Sequence, residues 1–309
     1  MNKHKQIDIL SMSNFFDSTI ESFADTFNFI PVDKLNQFEH SIKGILATPW
    51  VKVDEGLISK LPDLQIISCF GTGIDCVDRK AALEKGVVIT NTPDVVTEDT
   101  ADTALVLLLM LARNVVNSIQ HIKSGNWKTL PAPMGTCVFG KTLGILGLGK
   151  IGTRIAERAT AFGLNVIYHN RTQRDVPYSY YDSLEEMARV SDFLVVSCTG
   201  GQETKHIINM NILKALGRKG FLINVSRGIT VNEDELIACL KDKIIAGAGL
   251  DVYQNEPHVK EDFLYLDNIV TLPHIGTATT ETRIKMLNLV LENVKAYFYS
   301  GAALTPVLA

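Results

Sequence analysis

Short, largely apolar runs alternate with amphipathic stretches along the whole chain. In the first hundred residues such runs occur at Ile7–Leu10, Gly44–Ala47, Leu64–Cys69 and Val87–Thr90, and each reads as a strand. Between them lie helical stretches such as Asp54–Lys60 and Asp78–Lys85. Thr97-Glu98-Asp99 then opens a long helix through ALVLLLMLARNVV towards Ser124-Gly125. Its hydroxyl can cap the first turn, and its two acids suit the positive end of the helix dipole. A second alternating series begins at Thr142 with TLGILGLG, NVIYHN, DFLVVSC, GFLINVS, AGAGLDV and NIVTLP. The chain closes on a helix over Glu281–Phe298, where Ile284, Leu287, Leu291, Val294 and Phe298 recur at helical spacing.

Strands separated by helices predict an α/β fold with parallel sheets. With 309 residues, the chain exceeds what one core ordinarily serves, so two domains are expected. The simplest division makes one domain from residues 1–98 and 284–309, with residues 99–283 inserted as the other. No internal repeat, low-complexity tract or Pro/Gly/Ser-rich linker interrupts the pattern.

Charge and cysteine usage narrow the function classes. The net charge is −4, which gives no clustered basic face for nucleic acid or an acidic membrane. The longest apolar run, Ala104–Ala112, is nine residues, against about 20 for a membrane span, and MNKHKQIDIL lacks a signal-peptide apolar region. Cys69, Cys76, Cys137, Cys198 and Cys239 are odd in number without CxxC pairing. Neither a disulfide framework nor a metal site is expected, and a cytoplasmic, reducing home is.

The chemistry starts at Gly147-Leu148-Gly149-Lys150-Ile151-Gly152. This GxGxxG sits between the strand TLGIL and the helix KIGTRIAERATAF, and the strand NVIYHN completes a βαβ unit. That context points to a dinucleotide: a tight turn, backbone approach to the pyrophosphate, and close helix–strand packing at the three glycines. The helix start then offers free N–H groups to phosphate. At the tip of the second strand, an acid would hold the ribose hydroxyl of NAD. Here Asn170 stands in its place, 18 residues after Gly152, followed by Arg171, Thr172 and Arg174. Without the acid's repulsion, Arg171 and Thr172 can meet the 2′-phosphate of NADP, and Arg174 adds a longer-range charge. The expected cofactor is NADPH rather than NADH.

Three more stretches fall at strand ends, where open α/β sheets bind ligands. They are NVSRG with Arg227, LDVYQNEP with Asp251 and Glu256, and LPHIG with His274. Singly, each has a bland account as a surface pair, a solvated loop or a core histidine. Together beside a dinucleotide they make a reaction. Hydride added to a carbonyl leaves an oxyanion that a histidinium can protonate. A glutamate favours the charged ring, and an arginine fork binds a carboxylate.

The order GLGKIG, NVSRG, DVYQNEP, LPHIG resembles that of the D-isomer-specific 2-hydroxyacid dehydrogenases, over residues of about 66 to 298. The resemblance implies a Rossmann nucleotide-binding domain inserted into a flavodoxin-like substrate domain, both doubly wound. It implies catalytic roles for Arg227, Glu256 and His274, and a nicotinamide carboxamide contact for Asp251. Val225 and Gly276 fall on its cofactor side. Its carboxylate-binding loop matches FGTGIDCVD, which puts the Thr72 and Gly73 amides on substrate. Family members are usually homodimers, and the helix after Thr97 would be a reasonable contact surface. NTPDVVTEDTAD and NRT resemble more narrowly the glyoxylate/hydroxypyruvate reductase branch, which includes hydroxyphenylpyruvate reductases and commonly uses NADPH. The chain ends without the regulatory extension of many phosphoglycerate dehydrogenases.

Some positions depart from the family pattern. Cys198-Thr199-Gly200-Gly201 replaces a frequent Pro-Leu-Thr-Pro loop, Thr277 replaces a frequent serine or alanine, and Ala47–Lys52 has no clear counterpart. The expected activity is reduction of glyoxylate or hydroxypyruvate to a D-2-hydroxy acid. Two alternatives stay open: another 2-oxo acid (hydroxyphenylpyruvate, a phosphoglycerate or D-lactate type), or a dinucleotide-sensing binding protein.

Overall fold

The computed structural model describes residues 6–16 and 20–307. These form two compact units, one from the described residues of Met1–Val96 and Thr279–Ala309, the other Thr97–Ala278.

The first unit is built on strands β1 (Ile7–Ser11), β2 (Phe27–Pro31), β3 (Ile42–Ala47), β4 (Ile66–Cys69) and β5 (Val88–Thr90). All pairings are parallel, in the order β2-β1-β3-β4-β5, which is the flavodoxin-like doubly wound order. β4 is buried throughout, as a parallel sheet covered on both faces requires. Asp54 and Asp78 accept hydrogen bonds from the Leu57 and Ala81 amides and so cap the two short helices that follow them. The edge strand β2 escapes the sequence pattern. Its FNFIP run mixes an amide with aromatics and ends on Pro31, which only an edge tolerates.

The terminal helix Thr280–Ser300 buries Met286, Leu287, Val290, Leu291 and Val294 against this sheet. The stripe expected from the sequence began one turn earlier. Ile284 is instead exposed, because the buried face is centred on the 286/290/294 row. Ser68 on β4 donates to the Val290 carbonyl (2.9 Å) and ties helix to sheet.

The second unit carries β6 (Thr142–Leu146), β7 (Asn165–His169), β8 (Ser179–Tyr180), β9 (Phe193–Val196), β10 (Phe221–Asn224), β11 (Gly247–Leu250) and β12 (Ile269–Thr271). Its parallel order is β12-β11-β10-β9-β6-β7-β8. The chain winds outward from β6 to β8, then returns to β9 beside β6. Strand order therefore reverses at β6, the switch point where such sheets bind dinucleotides. The helix Thr97–Ala112 lies on β10 and β11, and the glycines of AGAGL make room for it. A Cβ at Gly249 would come 3.1 Å from Leu107 and Leu111 side-chain atoms.

The single long helix expected from Thr97 is two helices, Thr97–Ala112 and Val115–Lys123, bent by 59°. The break is at Asn114, which takes a left-handed conformation (φ 53°) and accepts from the Asn117 amide (2.8 Å). Asparagine is among the few residues that hold this conformation at small cost.

Candidate active site

The glycine turn follows β6 directly. Gly147 has φ 96°, and a Cβ there would sit 2.4 Å from the Cys198 backbone nitrogen. At Gly152 a Cβ would meet the Gly147 carbonyl oxygen at 2.3 Å. These two positions therefore admit only glycine, one for the turn and one for the packing. Gly149 faces open space instead, with nothing within 4 Å of its Cβ position. It precedes the helix Lys150–Ala161, whose start has no side-chain cap. The helix N-terminus at Lys150 and Ile151 thus carries no capping side chain, the geometry that receives a pyrophosphate. These residues fit a dinucleotide.

The end of β7 is organised around the same turn. The Leu148 amide donates to Asn170 Oδ1 (2.7 Å), so this side chain braces the glycine loop. Arg174 is more closely engaged than its expected long-range role, because its guanidinium donates to the Leu148 carbonyl. The buried Tyr168 hydroxyl accepts from the Arg174 amide (2.8 Å) and donates to its carbonyl (3.0 Å). Arg171 and Thr172 are exposed. The Arg171 side chain is 87% exposed and pairs with equally exposed Glu203 at 3.3 Å, a contact of ~0–1 kcal/mol.

Arg227, Glu256 and His274 come together at the carboxyl ends of β10, β11 and β12. His274 Nδ1 lies 2.6 Å from Glu256 Oε2. Glu256 Oε1 accepts from the Tyr253 amide (3.0 Å), so both oxygens are held. Burial opposes ionisation of Glu256. The hydrogen bond and charge of His274, the Tyr253 amide and the charge of Arg227 outweigh it, and the carboxyl is held below its usual range.

His274 itself has φ 53°, a conformation that costs a non-glycine residue of order 1–3 kcal/mol and persists only where surroundings impose it. Here Asp251 imposes it. Its carboxylate accepts from the Ile275 amide (2.7 Å) and the Gly276 amide (2.8 Å), and it is only 2% exposed. Asp251 therefore anchors the histidine loop, a task the sequence did not indicate.

Other positioning groups also escaped the sequence reading. Asn224, buried at the end of the apolar strand FLIN, accepts from the Ser226 amide (3.1 Å) and donates to the Arg227 carbonyl (3.1 Å). It folds the loop that presents Arg227, and a lone amide ending an apolar strand was the available signal. Val225 between them is buried. Glu233, at the head of helix Glu233–Lys241, accepts from the Gln254 amide (2.8 Å) and supports the loop bearing Glu256. Gly200, in the departing CTGG loop, lies against the arginine. A Cβ there would be 2.5 Å from Arg227 Cγ.

Thr72 and Gly73 belong to the first unit, in the loop after β4. Gly71 donates to Thr92 Oγ1 (3.0 Å), and the Thr72 carbonyl accepts from Asn91 (2.7 Å). Among the described residues, the Thr72 and Gly73 amides donate to no protein acceptor, so both remain available to an anion. No group of three or more His, Cys, Asp or Glu that could hold a metal ion occurs among the described residues.

Comparison with known proteins covers all of this machinery. Residues 105–276 match the model of the D-isomer specific 2-hydroxyacid dehydrogenase NAD-binding domain. The chain is 41% identical to a glyoxylate/hydroxypyruvate reductase A of Arabidopsis thaliana over 302 residues, covering 96% of each chain. It is 44% identical to a hydroxyphenylpyruvate reductase of Plectranthus scutellarioides, covering 87% of this chain and 86% of that one. Among solved structures, the NADPH-dependent glyoxylate/hydroxypyruvate reductase of Sinorhizobium meliloti, bound to NADP and malonate, superposes with a TM-score of 0.91 at 38% identity. That alignment covers 98% of this chain and 97% of that one. With the glycine turn at a switch point, the His–Glu pair on neighbouring strand ends, and these matches over nearly its whole length, the chain belongs to the D-isomer-specific 2-hydroxyacid dehydrogenases.

Proposed function

We propose that this protein is an NADPH-dependent reductase converting small 2-oxo acids, glyoxylate and hydroxypyruvate foremost, to D-2-hydroxy acids. The observation that carries this reading is the 2.6 Å contact between His274 Nδ1 and Glu256 Oε2, beside Arg227, on the sheet that bears the glycine turn. Gly147–Gly152 and the start of helix Lys150–Ala161 would hold the pyrophosphate, with Val225, Asp251 and Gly276 on the nicotinamide side. The bound cofactor would supply a hydride to the substrate's carbonyl carbon. His274, paired at Nδ1, is left with Nε2 to donate a proton to the carbonyl oxygen. Glu256 stabilises the charged ring and fixes its orientation. Arg227 binds the carboxylate and polarises the carbonyl.

The preference for NADPH rests on the end of β7. Asn170 offers no charge to repel a 2′-phosphate, and its side-chain oxygen is already engaged by Leu148. Arg171 is exposed and only weakly tied, so its guanidinium can turn to a phosphate at little cost. Initial rates with glyoxylate, hydroxypyruvate, hydroxyphenylpyruvate and pyruvate, each with NADPH and NADH, test the reading. The highest kcat/KM is expected for glyoxylate or hydroxypyruvate with NADPH. A maximum on hydroxyphenylpyruvate would move the protein to that substrate, and no cofactor oxidation with any acid would favour a dinucleotide sensor.

The protein is further proposed to act as a homodimer. Val106, Ile119, Ile122, Trp127, Leu130 and Met134 are all exposed within one stretch of the second unit, and covering such side chains with a partner subunit would favour association. Light scattering should give twice the mass of one chain, and the mass of a single chain would refute the proposal.

A further inference from the structure

The carboxyl ends of β1, β3 and β4 carry a group of side chains that the reaction described above does not use. Arg283, in the first turn of helix Thr280–Ser300, holds its guanidinium carbon 5.3 Å from the Phe70 ring centroid and 5.8 Å from that of Phe15. Phe15 in turn packs edge-on against Phe70 (4.8 Å between centroids) and against Trp50 (5.6 Å). Phe70 immediately precedes the loop of Gly71, Thr72 and Gly73. The Thr48–Trp50 segment lies against the same loop, since Pro49 Cγ is 3.8 Å from the Cβ position of Gly71.

Two polar groups here have no partner. Among the described residues the Arg283 side chain makes no hydrogen bond or ion pair, although burial disfavours its charge. The buried Thr48 hydroxyl likewise lacks a partner. A guanidinium carries five N–H donors and no acceptor, and withdrawing it from water without an acid is unfavourable. Stacking on two aromatic faces offsets part of that cost but leaves the N–H edge unsatisfied. An arrangement of this kind, a half-buried cation on an aromatic floor beside a loop with two free amides, is suited to an oxygen-bearing ligand.

Building on the proposed function, we infer that Arg283 is a specificity residue whose guanidinium donates to an oxygen on the third carbon of a 2-oxo acid held by its carboxylate at Thr72 and Gly73. The aromatic rings of Phe15 and Phe70 keep that guanidinium oriented and partly dry, which strengthens a charge-assisted bond. Hydroxypyruvate carries such an oxygen and glyoxylate has no third carbon.

The test compares kcat/KM for hydroxypyruvate and glyoxylate, both with NADPH, in the wild type, Arg283→Met and Arg283→Lys. Methionine keeps apolar packing on the rings and removes every donor. It should lose at least about tenfold more on hydroxypyruvate than on glyoxylate, the scale of one hydrogen bond to a charged group, chiefly through KM. Lysine restores a cation without the fork, so its differential loss should be smaller but of the same sign. It carries the same comparison if the methionine variant does not fold. Equal losses on both substrates, as a purely structural arginine would give, overturn this inference alone. A wild type that reduces neither substrate overturns the proposed function and this inference with it.

Discussion

His274→Ala and Arg227→Ala should each lower kcat for 2-oxo acid reduction by about 10²–10⁴-fold, the range set by removing a positioned proton donor or a charge-assisted anchor. Cofactor affinity should change little, because the glycine turn and the end of β7 are separate from both side chains in sequence and in hydrogen bonding. The two variants should differ in how the loss divides. Removing His274 leaves substrate binding but no proton donor, so the loss falls on kcat. Removing Arg227 weakens the hold on the carboxylate as well, so KM rises with it. The pH profile of the wild type carries the same logic. Glu256 is held below its ordinary value of 4.5, so its contribution is present above the ordinary carboxylate range and is lost as pH falls through the lowered folded value. Protonation of Glu256 should therefore cause no loss of reductive kcat/KM between neutral pH and the ordinary carboxylate range, and a decline centred between about pH 5 and 6 would contradict the assigned pair. Wild-type rates in either alanine variant would contradict the mechanism itself.

Arg171→Ala should raise KM for NADPH by about ten- to a hundredfold while KM for NADH stays nearly constant. Hydrogen bonds to charged groups contribute roughly 1.5–3 kcal/mol each, and each 1.4 kcal/mol is about a factor of ten in affinity. Because Arg171 is exposed and its pair with Glu203 is a surface contact, the substitution should scarcely affect stability, and the measurement then reports the cofactor alone. Asn170 and Arg174 would make poorer probes. Both brace the Leu148 backbone, so replacing either disturbs the turn that serves both cofactors. Equal effects on NADPH and NADH would mean that the Asn170–Arg174 stretch makes no contact with the 2′-phosphate.

The proposed reacting groups were legible in the sequence because their chemistry is written in residue type and position. A histidine, a glutamate and an arginine follow successive apolar strands, and a parallel sheet brings successive strand ends together. The glycine turn was legible for the same reason, and Gly147 and Gly152 are indeed positions that no Cβ could occupy. What the sequence hid were groups that act through the backbone. Asp251 holds two amides of the histidine loop, a positioning task that residue type alone does not reveal. Asn224, Glu233 and Gly200 work by shaping loops, and hydrogen bonds to main-chain atoms leave no periodic trace. In the fold, apolar periodicity carried unbroken across Asn114 because it does not register a left-handed residue, so two helices read as one. The two-residue β8 and the aromatic edge strand β2 were too short or too mixed to stand out. Arg283 was invisible for a further reason: an arginine near a helix start is unremarkable until it is seen to lack an acid partner among the described residues.

The product of a single reaction tests the proposed chemistry most directly. Hydroxypyruvate should be reduced by the wild-type protein with NADPH, and chiral analysis of the glycerate formed should give the D isomer alone. Absence of NADPH oxidation, or the appearance of L-glycerate, would contradict it.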